Sequence, residues 1–165
     1  MTLFGIAIGL FTGILDSFFH FIGFEGYKII SIFIFVLFFM GIYKSIVYLR
    51  EQLLEGFIFY WAGFKSIVYV GAIASLLISA IRYVYLEYIV KINIEPILDK
   101  TQKTMLDHYS LYRQELIDNR LSFIEFSYDP IISSSFYFIY YISFVIIFAI
   151  IASFFVRRID RNISL

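Results

Sequence analysis

The sequence predicts an all-α integral membrane protein, a four-transmembrane-helix bundle with a helical extramembrane segment between spans three and four. Three observations lead there. Four apolar stretches, at about 3–22, 29–48, 64–89 and 131–156, each have roughly the ~20 residues a helix needs to cross a bilayer. Hydrophobic residues make up 61% of the chain and charged residues 16%, which leaves more apolar surface than one soluble core of 165 residues could hide. The long charged segment, about 91–129, falls between the third and fourth stretches, so the whole chain, 1–165, reads as a single four-span membrane domain.

Span one opens without a basic leader and lacks a small-residue cleavage site, so it is expected to stay in the mature protein. With four spans, the N-terminus, the span two–three connection and the C-terminal tail share one side. Lys44, Arg50, Lys65, Arg157, Arg158 and Arg161 lie on that side in short connections. The other side carries Lys28 and a spread of basic residues through the long segment. Basic residues clustered next to span ends resist translocation, and Arg157, Arg158 and Arg161 directly follow span four. The expectation is a multi-pass protein of the bacterial inner membrane, N-in and C-in, whose first partner is the lipid bilayer.

Composition narrows the function classes. Thirteen basic and thirteen acidic residues give no concentrated positive charge for nucleic acid. With no Cys, disulfide frameworks and thiolate metal sites are excluded, and His20 and His108 stand too far apart in sequence to suggest a metal site. The 21 Phe and 14 Tyr are read mostly as lipid-facing bulk and interface anchors. No phosphate loop, nucleophile motif or paired-carboxylate face appears, so no catalytic residue and no cofactor is expected.

The segment 91–129 reads as mostly helical. Pro96 follows Glu95 as a first-turn proline would, and Leu98, Met105, Tyr109, Tyr112 and Leu116 form one amphipathic seam interrupted by Gln102. That seam either packs on its own bundle or the lipid interface, or self-associates as a short coiled coil. Asp129 and Pro130 supply a cap and first turn for span four. Tyr85, Glu87 and Tyr88 are read as snorkelling where span three leaves the bilayer.

Inside the spans, the informative residues are the ones lipid rejects: Asp16 and His20 in span one, Arg82 and Glu87 in span three. Gly5, Gly9, Gly13 and Ser17 recur every fourth residue in span one, as do Gly71, Ser75 and Ser79 in span three, and such stripes let helix backbones approach closely. Both spans run in the same direction. A shift of 66 residues sets Gly5 beside Gly71, Gly9 beside Ser75, Gly13 beside Ser79 and Asp16 beside Arg82. The expected pair either fixes helix register or, with His20 one turn away, serves a proton or substrate relay.

The span two–three connection, Lys44 to Lys65, reads as an amphipathic interfacial piece anchored by Trp61. Its residues also carry a resemblance. Gly41-x-x-Lys44, then Glu55-Gly56-Phe57-Ile58, then Ala62-x-Phe64-Lys65, then a small-residue-rich span ending in Tyr83-x-Tyr85 resemble the bacterial family called domain of unknown function four-one-nine-nine. The resemblance covers nearly the whole chain. It implies a short four-span membrane protein, mostly found in Bacteroidota, with a helical extramembrane segment before the last span and a basic C-terminus; it implies no activity.

Two functions compete on these grounds. The first is an accessory or scaffold subunit of an envelope complex, with another membrane subunit as partner; a homo-oligomer is the partner arrangement expected of the second. The alternative is a small oligomeric transporter or lipid-handling protein working through Asp16, His20 and Arg82.

Overall fold

A computed structural model describes residues 1–22, 27–90, 99, 102–103 and 114–157. Its helices are α1 (Thr2–Ile22), α2 (Tyr27–Leu53), α3 (Tyr60–Tyr85), which runs on into a π-helical turn (Leu86–Val90), α4 (Gln114–Tyr128) and α5 (Pro130–Val156). Four stretches are long and apolar enough to cross a membrane: Thr2–Ile22, Ile29–Gln52, Tyr60–Val90 and Pro130–Val156. Among the described residues there is no strand. The chain is therefore all-α and membrane-embedded, with α4 in the segment between spans three and four. Of the amphipathic seam, Leu98, Met105, Tyr109 and Tyr112 lie outside the described residues, as do Pro96, Arg158 and Arg161, while Leu116 falls within α4.

The chain divides into two compact units, Met1–Ile81 with Tyr137–Leu165, and Arg82–Phe136. In the first unit the core is built by helical stripes. Phe38, Ile42 and Ile46 of α2, Ile67, Val70, Ala74 and Ile78 of α3, and Tyr141, Val145, Ala149, Ala152 and Val156 of α5 form one buried cluster. Their three- and four-residue spacing aligns each set on one helix face. Phe4 and Ile8 of α1 pack at its edge.

Neighbour contacts give the directions. Phe4 stacks on Tyr48 at 5.5 Å and Ile8 abuts Gly41, so α1 and α2 are antiparallel. Tyr60 lies against Phe154 at 4.8 Å and Gly71 against Val145, so α3 and α5 are antiparallel. Phe35 meets Tyr141 at 5.8 Å, Phe39 meets Phe148 at 4.7 Å and Arg50 reaches Val156, so α2 and α5 are parallel.

Many of the aromatics are exposed on the outer faces of the helices, as the sequence suggests, with Phe11, Phe18, Phe21, Phe33, Phe154 and Phe155 among them, but a subset does a different job. Phe35, Phe38 and Phe39 interlock with Tyr140, Tyr141, Phe144 and Phe148 in an aromatic ladder between α2 and α5. Edge-to-face and tilted pairs of this kind contribute about 0.5–1.5 kcal/mol each beyond their burial. A phenylalanine selected for lipid and one selected for a helix seam look alike in sequence.

The span two–three connection is shorter than expected. Helix α2 continues through Lys44 and Arg50 to Leu53, and Trp61 and Lys65 already belong to α3, leaving only residues 54–59 between helices. Helix-favouring Leu, Arg, Glu and Gln carry α2 past its apolar part. It stops where Glu55 and Gly56 both turn left-handed, with φ of 52° and 87°. The Gly56 N–H donates to the Arg50 carbonyl at 2.9 Å and Phe57 N–H to Leu54 at 2.9 Å, satisfying helix-end carbonyls. Ile58 then drops into the core.

The second unit has its own small core of Tyr85, Leu86 and Val90 packed with Tyr128 of α4. Tyr85 is thus buried, not snorkelling as expected, whereas Tyr88 is exposed. The unit also holds the start of α5. The Ile132 N–H donates to Asp129 Oδ1 at 2.9 Å and Ser133 N–H to the Asp129 carbonyl at 2.9 Å, which makes Asp129 the N-cap ahead of Pro130.

Candidate functional site

The glycine stripe of α1 lies directly on α3. A Cβ on Gly9 would stand 2.8 Å from the Ala74 carbonyl oxygen and 2.9 Å from Ala74 Cα; one on Gly5 would meet Ile73 and the Val70 carbonyl at 2.9 Å; one on Gly13 would meet Ile81 at 2.7 Å and Ile78 Cα at 3.3 Å. Thr2 Oγ1 and the Tyr69 hydroxyl are 3.1 Å apart, which holds the first turn of α1 to the same parallel alignment. Only hydrogen at these positions permits such an approach.

The two stripes do not face each other, however. On α3 the surface that receives the glycines is Val70, Ala74 and Ile78 with Ile73, Leu77 and Ile81. Gly71 instead points at the Val145 side chain of α5, and Ser75, fully buried, donates to the Gly71 carbonyl at 2.7 Å. Ser17 and Ser79 are half-buried. The small residues of α3 thus open room for α5, a quarter-turn away from the α1 contact.

Asp16 is buried on α1 one turn beyond Gly13, and His20 one turn further is half-buried. Both belong to the first unit, whereas Arg82 opens the second, where it is buried with its guanidinium carbon 5.6 Å from the Tyr85 ring centroid. That geometry is a cation–π contact one turn along the helix. None of Asp16, His20 and Arg82 is without a partner.

Several buried hydroxyls of the first unit bond within their own helices, whereas the buried Ser31 Oγ has no hydrogen-bond partner among the described residues. Thr12 donates to the Ile8 carbonyl at 2.6 Å, Ser45 to Ile42 at 2.7 Å, and Ser153 to Ala149. Hydroxyls satisfied this way are at home in a membrane helix and offer no spare donor inward.

Lys44, counted with the basic residues of the cytoplasmic-side connections, lies within span two, as the expected bounds of 29–48 also had it. It stands in α2, six residues before Arg50 and about 9 Å further into the bundle. Its side chain is exposed and lines two grooves. One, of about 560 Å³, runs between α2 and α5 along Phe35, Phe39, Phe148, Ile151 and Phe155; the other, between α1 and α2, runs along Ile8, Phe11, Leu37 and Gly41. Met40 lines both.

Helix lengths, an apolar interior and glycine-mediated helix contact define a four-span α-helical membrane protein. More particularly, the chain belongs to the family described as protein of unknown function DUF4199, which matches residues 3–158. No curated protein and no solved structure matches it.

Proposed function

We propose that this chain is an accessory or scaffold subunit of an envelope complex in the bacterial inner membrane, acting through its helix faces and not as an enzyme. The observation that carries this reading is the filled interior of the first unit. Phe38, Ile42, Ile67, Val70, Ala74, Val145 and Ala149 are fully buried there, and the buried Thr12, Ser45, Ser75 and Ser153 hydroxyls are bonded within their helices. Among the described residues of that unit, a polar solute would meet no continuous row of available polar groups. What remains is the outer surface, where Phe11, Ile14, Phe18 and Phe21 form an exposed apolar face of α1 for lipid or another membrane helix.

Both termini are proposed to be cytoplasmic. The Phe4–Tyr48 stack and the Arg50–Val156 bond put the first turn of α1 and the last turn of α5 at the end that carries Arg50, Lys65 and Arg157. Basic residues bordering spans are retained on the cytoplasmic side.

Native mass spectrometry of the protein drawn gently from its own membranes tests the scaffold reading. A second polypeptide at fixed ratio is the expected result, and the chain recovered only as copies of itself would overturn it. Burial of Asp16 in an apolar span favours a second reading, a small oligomeric transporter or lipid-handling protein that uses Asp16, His20 and Arg82. Asp16→Asn that stays folded and abolishes a transport activity would select it.

A further inference from the structure

Lys44 presents a lone ammonium at the meeting point of two apolar grooves, inside a membrane-crossing stretch that runs from Ile29 to Gln52. Among the described residues it has no ion-pair partner. Arg50, one and a half turns nearer the helix end, is already committed to Glu51 and to the Val156 carbonyl, with Nε donating to Glu51 Oε1 at 2.8 Å and Nη1 to Val156 at 2.9 Å. A cation at this depth is neutralised from outside the chain or reaches for the interface along its stem.

We propose that Lys44 is the headgroup anchor of a binding site for one anionic phospholipid. Its phosphate sits on the Lys44 ammonium, and one acyl chain lies in the groove between α2 and α5. The groove suits a chain and not a polar ligand, since Phe35, Phe39, Phe148, Ile151 and Phe155 line it and Lys44 is its charged group. From Phe35 to Lys44 it extends nine residues along α2, about 13 Å, which accommodates much of an acyl chain lying parallel to the helix. Charge and apolar length are thus arranged head-first, with the cation toward the helix end and the aromatic trough toward the bilayer centre. Met40 forms the ridge between this groove and its neighbour.

The site is tested by titrating the delipidated, detergent-solubilised protein with phosphatidylglycerol or phosphatidylcholine of identical chains and reading bound lipid by native mass spectrometry. One basic residue near anionic headgroups favours them about fivefold, so the wild type retains phosphatidylglycerol over phosphatidylcholine by about that factor. Lys44→Gln brings the ratio close to one, Lys44→Arg keeps it, and Lys65→Gln, which removes an equal charge at the same end, leaves it unchanged. Met40→Trp narrows the groove and lowers retention of both lipids. Inorganic phosphate does not displace the lipid, because the acyl chain supplies the rest of the binding. No preference in the wild type, an unchanged preference in Lys44→Gln, or displacement by inorganic phosphate overturns the proposal. If Lys44→Gln does not fold, the Lys44→Arg and Met40→Trp results decide it, and equal phosphatidylglycerol retention by wild type and Met40→Trp rejects it.

Discussion

Arg50 donates from Nη1 to the backbone carbonyl of Val156 at 2.9 Å, tying the end of span two to the last turn of span four across 106 residues of chain. The last carbonyls of a helix have no partner within it, and a guanidinium there satisfies one while complementing the negative end of the helix dipole. Glu51 holds the same guanidinium by a second bond, so it arrives oriented. Arg50→Ala removes both and leaves the carbonyl to find water. The expected cost is about 1–2 kcal/mol, read as a lower midpoint of thermal unfolding in detergent. Arg50→Lys, which keeps charge but loses the fork, recovers part of the loss.

Three glycines of similar sequence context are expected to respond differently to alanine. At Gly9 the new methyl would meet Ala74 backbone at 2.8 Å, and backbone cannot step aside, so Gly9→Ala costs about 1–3 kcal/mol. At Gly41 the obstacle is the Ile8 side chain, Cγ1 at 3.2 Å, which has to give by only a few tenths of an ångström, and the loss is smaller. At Gly63 the nearest atoms are 3.9 and 4.0 Å away, ordinary contact, so the helix-propensity gain of about 1 kcal/mol survives and Gly63→Ala raises the unfolding midpoint. An unfolding series in one detergent checks the order Gly63 above wild type, then Gly41, then Gly9.

The four spans were legible because hydropathy over some twenty residues is a strong signal, and the Asp129–Pro130 start of α5 because capping chemistry is local. The four-residue spacing of Gly5, Gly9 and Gly13 was visible too. Its receiving surface was not, since Val70, Ala74 and Ile78 look like any apolar helix face and Gly71 and Ser75 looked like the better match. The register inferred from them nonetheless lies close to that observed, because Gly71 falls between Val70 and Ile73, the residues that meet Gly5. The connection between spans two and three was misread for a related reason. Arg50, Trp61 and Lys65 mark an interface, but helices α2 and α3 run straight through it.

That connection turns on two residues with positive φ, and the two are not equivalent. Gly56, at 87°, sits where a Cβ is strained whatever the space around it, and its nearest neighbour, Glu51 Oε2 at 3.7 Å, is no obstacle. Gly56→Ala therefore destabilises through the backbone alone, by about 1–2 kcal/mol. Glu55, at 52°, already bears that strain, and Glu55→Gly or Glu55→Asn relieves part of it and raises the unfolding midpoint. Equal midpoints for Gly56→Ala and wild type would show that the turn is free to readjust.

At the opposite end of α5, Asp129 accepts from the N–H of Ile132 at 2.9 Å, three residues into the helix, while Pro130 fills the first helical position, where a missing N–H is harmless. The carboxylate also faces the positive end of the helix dipole. Asp129→Ala removes the acceptor and the charge together, and the expected loss is about 1 kcal/mol. Asp129→Asn and Asp129→Ser keep an acceptor and hold most of the stability, which separates the capping bond from the charge. The readout is hydrogen exchange at the amides of residues 131–133, which accelerates in the alanine variant and stays slow in the other two.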